Sequence, residues 1–210
     1  MTDKLTDKSV VTFLDELASS QPAPGGGSVA ALAGALGAAL VSMVCNLTLG
    51  KKKYADVEDY IKELVGKSEA LRGKLAGLLE ADVAAYTVLN TTMKMPRDTE
   101  EQVAARTKAM ATALEGATAV PMQIAETCAE VMDLCRPAAD KGNTNAVSDA
   151  GVAILLAEAG LRSAALNVLI NLGYIKDEAF VAENRKKLDG ILAGRSALRD
   201  EVYDYVASQL

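Results

Sequence analysis

Apolar residues recur at intervals of three and four positions along most of the chain, which is the spacing of helices that bury one face. The first such stretch follows Ser9, a residue type that favours the N-cap position. No segment alternates apolar and polar residues in the manner of a half-buried strand. The pattern therefore predicts an all-α fold.

Capping residues and prolines divide the first half of this pattern. A long helix is predicted from about Val57 to about Met93. Thr99 with Gln102 forms a capping box for the helix that follows. Pro121 has no backbone N–H and crowds the preceding turn, so we expect it to break or kink that helix.

The second half carries clear start and stop signals. Ser148 or Asp149 is expected to cap a long helix that ends at Leu172, and Gly173 is the stop signal. Asp177 is then expected to begin the last helix. These boundaries predict six to seven helices.

Residues 29–49 form the most apolar segment, and Ala and Gly dominate it. The segment is long enough to cross a bilayer, but its composition favours a buried core helix over a membrane span. Small side chains recur every fourth position and let neighbouring backbones approach closely. We predict one domain over residues 1–210, a helical bundle around this buried Ala/Gly-rich helix.

Composition and charge narrow the function classes. The net charge is −6, so the chain repels phosphate backbones, and nucleic acid is not an expected partner. The three cysteines lie within apolar helical patterns, which favours buried thiols in a reducing compartment. The polar N-terminal residues lack the apolar run of a signal peptide. We therefore expect a cytoplasmic protein that binds no membrane.

A proline-rich segment followed by a glycine triplet opens onto the central helix. Pro22 and Pro24 stiffen the approach, and residues 25–28 read Gly-Gly-Gly-Ser. Without side chains, this backbone can lie close to a ligand. The Gly-Lys-Ser/Thr of a phosphate-binding loop is absent, so a nucleotide cradle is not expected.

Asp82 stands where the pattern of the long helix demands an apolar residue. It continues a seam of leucines that includes Leu75, Leu78 and Leu89. Removing an ionised carboxylate from water costs several kcal/mol, roughly, unless the group is paired, protonated or faces a cavity. Asp82 is either a structurally bonded carboxylate beside the seam or a general acid/base with a raised pKa.

Further polar residues are candidates for ligand contacts. Asn167 and Asn171 share one face of a later helix, where they either link helices or present donors and acceptors to a heterocycle. Lys94 either supplies a cation near a cleft or is solvated, and the lysines at 51–53 either attract a polyglutamate tail or stabilise a helix terminus.

Other chemistries cannot be assembled from this sequence. The chain has no histidine, which excludes His-based triads and His metal ligands. Cys128 and Cys135 are too widely spaced for a common zinc knuckle. A carboxylate, amides and glycine backbone remain, and these suit proton transfer on an organic substrate without a metal or redox cofactor.

Several of these segments together resemble the cyclodeaminase/cyclohydrolase family of folate enzymes. The resemblance covers nearly the whole chain, and the proline-glycine motif followed by the asparagine pair is its most specific part. The segments that carry it are residues 22–31, 42–48, 82–86, 93–96, 142–143, 148–149 and 167–171.

The resemblance implies an all-helical homodimer, or a dimer of dimers, that acts on a tetrahydrofolate derivative without a cofactor. The catalytic aspartate of the family falls in the motif that matches Asp82. Together with the backbone argument, the resemblance implies substrate contacts from Gly25, Gly26, Gly27, Ser28, Lys94, Asn143, Asn167 and Asn171.

Two related activities occur in this family. Formiminotetrahydrofolate cyclodeaminase closes a ring with loss of ammonia, and methenyltetrahydrofolate cyclohydrolase adds water to form 10-formyltetrahydrofolate. Because the first helix starts within about ten residues of Met1, without a preceding transferase domain, we favour the cyclohydrolase. A non-enzymatic helical module that binds a peptide is an alternative of another class.

Overall fold

Seven α-helices account for most of residues 4–210, which are the residues that the computed structural model describes. No strand is found among them, so the predicted all-α bundle of six to seven helices is confirmed. The predicted domain begins at Met1, and residues 1–3 lie outside the described residues. The helices are α1 (Val10–Leu17), α2 (Gly26–Asn46), α3 (Glu58–Met93), α4 (Glu100–Lys141), α5 (Val147–Leu172), α6 (Glu178–Leu192) and α7 (Arg195–Ala207), with short 3-10 helices at Leu5–Asp7, Lys52–Val57 and Thr144–Ala146.

Helix α2 is the Ala/Gly-rich centre of the bundle and packs against α3, α4 and α5. A Cβ atom built on Gly37 would lie 2.9 Å from the Ala153 carbonyl oxygen, and one built on Gly160 would lie 2.8 Å from the Ala30 carbonyl oxygen. Such contacts leave no room for larger side chains between α2 and α5. The small residues of the sequence therefore set the separation of these two helices.

Helix α4 does not break at Pro121. It runs without interruption over 42 residues, Glu100–Lys141, with Pro121 and Pro137 inside it. Pro121 is buried, so packing against the bundle offsets the hydrogen bond that its ring removes. The predicted capping box of Thr99 and Gln102 is confirmed at its start.

The turn before α5 uses a different cap from the one predicted. The Asn143 side chain caps the 3-10 helix Thr144–Ala146, and α5 then starts at Val147 without a side-chain cap. The predicted caps at Ser148 and Asp149 are therefore wrong. Asp177 caps α6 as expected, but it does not begin the last helix, because α7 follows a turn at Gly194 with a φ of 75°.

The three cysteines are free and buried, as predicted. Cys128 lies between α2 and α5, where a Cβ on Gly34 would lie 2.4 Å from its Sγ atom. Burial raises the pKa of the Cys45 thiol to about 11 and that of Cys128 to about 12. These thiols are packing groups and not nucleophiles.

Two helical segments have the length and hydropathy of a membrane span, Gly26–Asn46 and Thr144–Leu172. The second was not anticipated from the sequence. About half of each apolar window is buried against the rest of the chain, 56% and 50% respectively. Both are core helices on their inner side, so hydropathy alone gives weak evidence for a membrane.

Candidate active site

A pocket of about 300 Å³ opens where the glycine segment meets α3, α4 and α5. Its volume is at the lower end of the range for small-molecule sites. The N-terminus of α2 forms one wall, and the C-terminal halves of α3 and α5 form two others. It is lined by Pro22, Ala23, Gly25, Gly26, Gly27, Asp82, Ala85, Tyr86, Leu89, Met93, Ala117, Pro121, Asn167, Ile170, Asn171 and Tyr174.

Asp82 projects from α3 into this pocket, facing the first turn of α2. The Ser28 hydroxyl donates a hydrogen bond of 2.8 Å to Asp82 Oδ2. Burial raises the pKa of the Asp82 carboxyl, and the hydroxyl and backbone amide of Ser28 act in the opposite direction. No ion pair involves Asp82 within residues 4–210.

Gly27 brings the backbone of α2 directly against this carboxylate. A Cβ atom on Gly27 would lie 2.0 Å from Asp82 Oδ1, far inside van der Waals contact. Gly25 is the N-cap and supplies no side-chain cap, so the first amides of α2 keep their hydrogen-bonding capacity. The positive end of the α2 dipole thus lies beside Asp82.

The two asparagines of α5 lie on the opposite wall. Asn167 Nδ2 donates to the Ser163 carbonyl oxygen at 2.8 Å, within its own helix, and Asn171 Nδ2 donates to the Ala117 carbonyl oxygen of α4 at 2.7 Å. In the described part of the chain, neither Oδ1 atom accepts a hydrogen bond. Each amide therefore combines a structural bond with an acceptor on the pocket wall.

Three predicted substrate contacts lie away from the pocket wall. Asn143 is buried at the far end of α2, where it bonds to Thr48 and Leu47. Lys94 is the exposed C-cap of α3 and does not line the pocket. Ser28 is fully buried, and its hydroxyl bonds to the Asp82 carboxylate and not to a group in the pocket.

The lysines at 51–53 lie beyond the other end of α2 from the glycine segment. A helix of 21 residues is ~30 Å long, so these cations do not contribute to the pocket. Lys53 instead contacts Thr144 and the ring of Tyr54. Neither contact is with a helix-terminal carbonyl, so both interpretations of this basic run remain predictions.

Two tyrosines in the pocket were not assigned from the sequence. Tyr86 follows Asp82 by one helical turn, a spacing that places both on one face of α3. Tyr174 follows the end of α5 by two residues. The helical spacing was a usable signal for Tyr86, whereas only the tertiary fold brings Tyr174 to the site.

The comparisons with known proteins identify the family of this chain. Residues 9–190 match the family model described as formiminotransferase-cyclodeaminase. The chain belongs to this family. The resemblance predicted from the motifs is thus confirmed.

The relatives of this chain carry two kinds of name. The chain is 50% identical to the methenyltetrahydrofolate cyclohydrolase of Methylorubrum extorquens, over 97% of this chain and 98% of that protein. It is 38% identical to the formimidoyltransferase-cyclodeaminase of Sus scrofa, of which it spans 35%. A crystal structure of formiminotetrahydrofolate cyclodeaminase from Thermotoga maritima superposes with a TM-score of 0.82 at 31% identity, over 98% of this chain and 97% of that one.

Asp82 is the one charged side chain among the described residues that line the pocket. No cluster of three potential metal ligands occurs among the residues described. A lone carboxylate opposite amide acceptors favours a cationic or proton-donating organic ligand. It also provides a base or acid for proton transfer inside a partly desolvated site.

Proposed function

We propose that this chain is a methenyltetrahydrofolate cyclohydrolase, which converts 5,10-methenyltetrahydrofolate and water into 10-formyltetrahydrofolate. The observation that carries the proposal is the 50% identity to the Methylorubrum extorquens enzyme over nearly all of both chains. Because this relative is an enzyme, the alternative of a non-enzymatic helical module that binds a peptide is not retained.

The charge of the pocket suits this substrate. The methenyl bridge is a delocalised N5–C–N10 cation, and Asp82 supplies the single negative side chain among the described residues of the pocket. The carbon between the nitrogens is electrophilic without activation by a metal, and the reaction transfers no electrons. The proposed chemistry therefore needs neither a metal nor a redox cofactor.

Asp82 acts as the base. It takes a proton from a water molecule while the water oxygen bonds to the methenyl carbon, which gives a neutral tetrahedral adduct. The carboxylic acid then returns its proton to N5 as the C–N5 bond breaks. The hydroxyl proton lost as the formyl carbonyl forms leaves through the carboxylate to solvent, so Asp82 ends ionised.

The remaining polar groups bind and orient the substrate. The amides of Gly25, Gly26 and Gly27 face the ligand from the positive end of α2, and Asn167 and Asn171 offer acceptors to the donor groups of the pterin ring. Ser28 holds the carboxylate in position through its hydroxyl.

Alanine variants separate the two roles of the asparagines. We expect Asn167→Ala to weaken substrate binding by about 1–3 kcal/mol with little change in melting temperature, since its internal bond lies within one helix. Asn171→Ala should lower both affinity and stability, because its amide links α5 to α4. KM and thermal melts measure the two effects, and unchanged affinity in both variants would leave the asparagines as structural links only.

Cyclodeaminase activity is the second candidate, because relatives with that name share the family and the fold. In that reaction the same acid at position 82 would protonate the departing ammonia. The two are separated by measuring loss of methenyl absorbance beside ammonia release from formiminotetrahydrofolate. The proposal requires the first rate to exceed the second, after the spontaneous hydrolysis is subtracted.

We propose that the chain works as a cytoplasmic homodimer, and α2 and α5 supply the surface for it. Each helix exposes an apolar stripe, which on α2 contains no charged residue and on α5 is interrupted by Arg162. Exposed members of these stripes are Leu36, Met43, Val152, Leu155, Leu166 and Ile170. A two-fold interface buries a self-complementary surface that is depleted in charged residues at its core.

A single charge should disrupt this dimer. Leu166 is 69% exposed, so Leu166→Glu is expected to leave the fold intact while the assembly changes from two chains to one. Sedimentation or light scattering at micromolar concentration measures the mass. Leu210→Glu, at the more exposed C-terminal leucine, is the control. A monomeric wild type would refute the dimer.

A further inference from the structure

The polarity of the pocket changes from its floor to its rim. The polar groups Asp82, Asn167 and Asn171 are partly buried, whereas the rim consists of exposed side chains with large apolar surfaces. Tyr86 is 37% exposed and Tyr174 is 65% exposed. A ligand with a polar heterocycle and an attached aromatic ring would fit this gradient in one orientation.

Aromatic residues are scarce in the chain, which has six tyrosines, two phenylalanines and no tryptophan. Two of the six tyrosines line this one pocket, from the separate walls formed by α3 and by the turn after α5. Tyr54 and Tyr205 use their hydroxyls in bonds to Thr144 and Asp140. The hydroxyls of Tyr86 and Tyr174 make no hydrogen bond within the described residues, so no internal bond accounts for their positions.

The size of the pocket agrees with a ligand that reaches the rim. A volume of about 300 Å³ is small for a complete folate, which joins a pterin, a p-aminobenzoyl ring and glutamate. With the methenyl carbon next to Asp82 and the pterin on the polar floor, the p-aminobenzoyl ring on N10 extends toward the exposed rim, where Tyr86 and Tyr174 lie.

We propose that Tyr86 and Tyr174 form an aromatic clamp, the rim clamp, that stacks on the p-aminobenzoyl ring of the substrate. This inference rests on the proposed function and specifies how its substrate is oriented. Stacking on an aromatic ring requires the ring of each tyrosine and not its hydroxyl. The clamp acts on binding, since neither tyrosine takes part in proton transfer.

The test compares Leu and Phe at each position. Tyr86→Leu and Tyr174→Leu are expected to raise KM for methenyltetrahydrofolate by ~3- to 10-fold each, with kcat within about two-fold of wild type. Tyr86→Phe and Tyr174→Phe should recover most of the lost affinity. Tyr203→Leu, at an exposed tyrosine of α7 away from the pocket, is the control and should match wild type.

A truncated substrate provides the decisive comparison. A methenyl-bridged tetrahydropterin that carries a methyl group on N10 in place of the benzoyl ring cannot use the clamp. Wild type and the two Leu variants should therefore bind this analogue with the same KM. Leu variants with wild-type KM for the full substrate, Phe variants as impaired as Leu, or an equal loss on both substrates would each overturn the clamp.

Failure of the clamp is distinguishable from failure of the proposed function. If wild type turns over formiminotetrahydrofolate in place of the methenyl compound, the same variants are compared on that substrate, because both carry the p-aminobenzoyl ring. If wild type turns over neither, the thermal shift with tetrahydrofolate is compared between wild type and the Leu variants. Equal shifts in that comparison would overturn the clamp.

Discussion

Asp82→Asn is expected to lower kcat for methenyl hydration by about 10²- to 10⁴-fold, the usual contribution of a positioned general base. Asparagine keeps the shape of the side chain and an oxygen that accepts from Ser28, but it cannot take a proton from water. The variant should fold normally, since it removes a carboxylate that burial disfavours. Initial rates of absorbance loss give kcat, and circular dichroism with light scattering checks fold and assembly. Near-normal turnover would exclude Asp82 as the base.

The pH dependence of activity provides a second test of the role of Asp82. Burial raises the pKa of Asp82, and the base works ionised, so wild-type activity should fall as pH falls through that raised pKa. Ser28→Ala removes a hydrogen bond that favours the ionised form, so its acid limb should move to higher pH. An acid limb in the same place in both proteins would argue against Asp82.

Ionisation of Asp82 is expected to destabilise the folded state, whereas ionisation of an ion-paired carboxylate stabilises it. Because the pKa of Asp82 is raised in the folded state, native stability falls as pH rises from the ordinary carboxyl pKa through the raised pKa, and it stays lower above it. Asp82→Asn should therefore melt no lower than wild type near neutral pH. A clear loss of stability would mean that the carboxylate supports the fold.

Gly27→Ala is expected to be the second most damaging change, with at least about a 10²-fold loss of kcat/KM, since a misplacement of about 1 Å in a catalytic group costs that much. The added Cβ would lie 2.0 Å from Asp82 Oδ1, so either the carboxylate turns away or the first turn of α2 shifts. Steady-state kinetics with a melting curve measure both results.

Gly73→Ala is the matched control for Gly27→Ala. It also replaces a helical glycine, on α3, but its Cβ would meet no atom within 4 Å. Helix propensity alone should make this variant up to about 1 kcal/mol more stable, with wild-type activity. Gly27→Ala with activity equal to that of the control would show that the close contact with Asp82 is not needed.

The helices were largely predictable because their signals are local. Ser9, Asp177 and the Thr99–Gln102 box act within a few residues of themselves, and each caps the helix that the sequence assigned to it. Pro121 does not end its helix, because packing around a long helix outweighs one missing hydrogen bond. Helix α7 was missed because its apolar positions are few and its burial depends on contacts with α4 and α5.

Some residues of the site were predictable from local sequence, whereas their arrangement in space was not. Asp82 interrupts an apolar seam, and such a conflict is visible in sequence alone. That Asp82 meets Gly27 and Asn167 in one pocket depends on the arrangement of three helices that are distant in the chain. Asn143 looked equivalent to the other amides, but it lies away from the pocket and bonds to Thr48 and Leu47.

The most direct test is the rate at which purified wild-type protein removes methenyl absorbance, with the buffer rate subtracted and the product identified by chromatography. The mechanism predicts 10-formyltetrahydrofolate at a rate proportional to enzyme concentration, and a loss of at least about 10²-fold in Asp82→Asn. A wild-type rate equal to the buffer rate, or an Asp82→Asn rate equal to wild type, would contradict it.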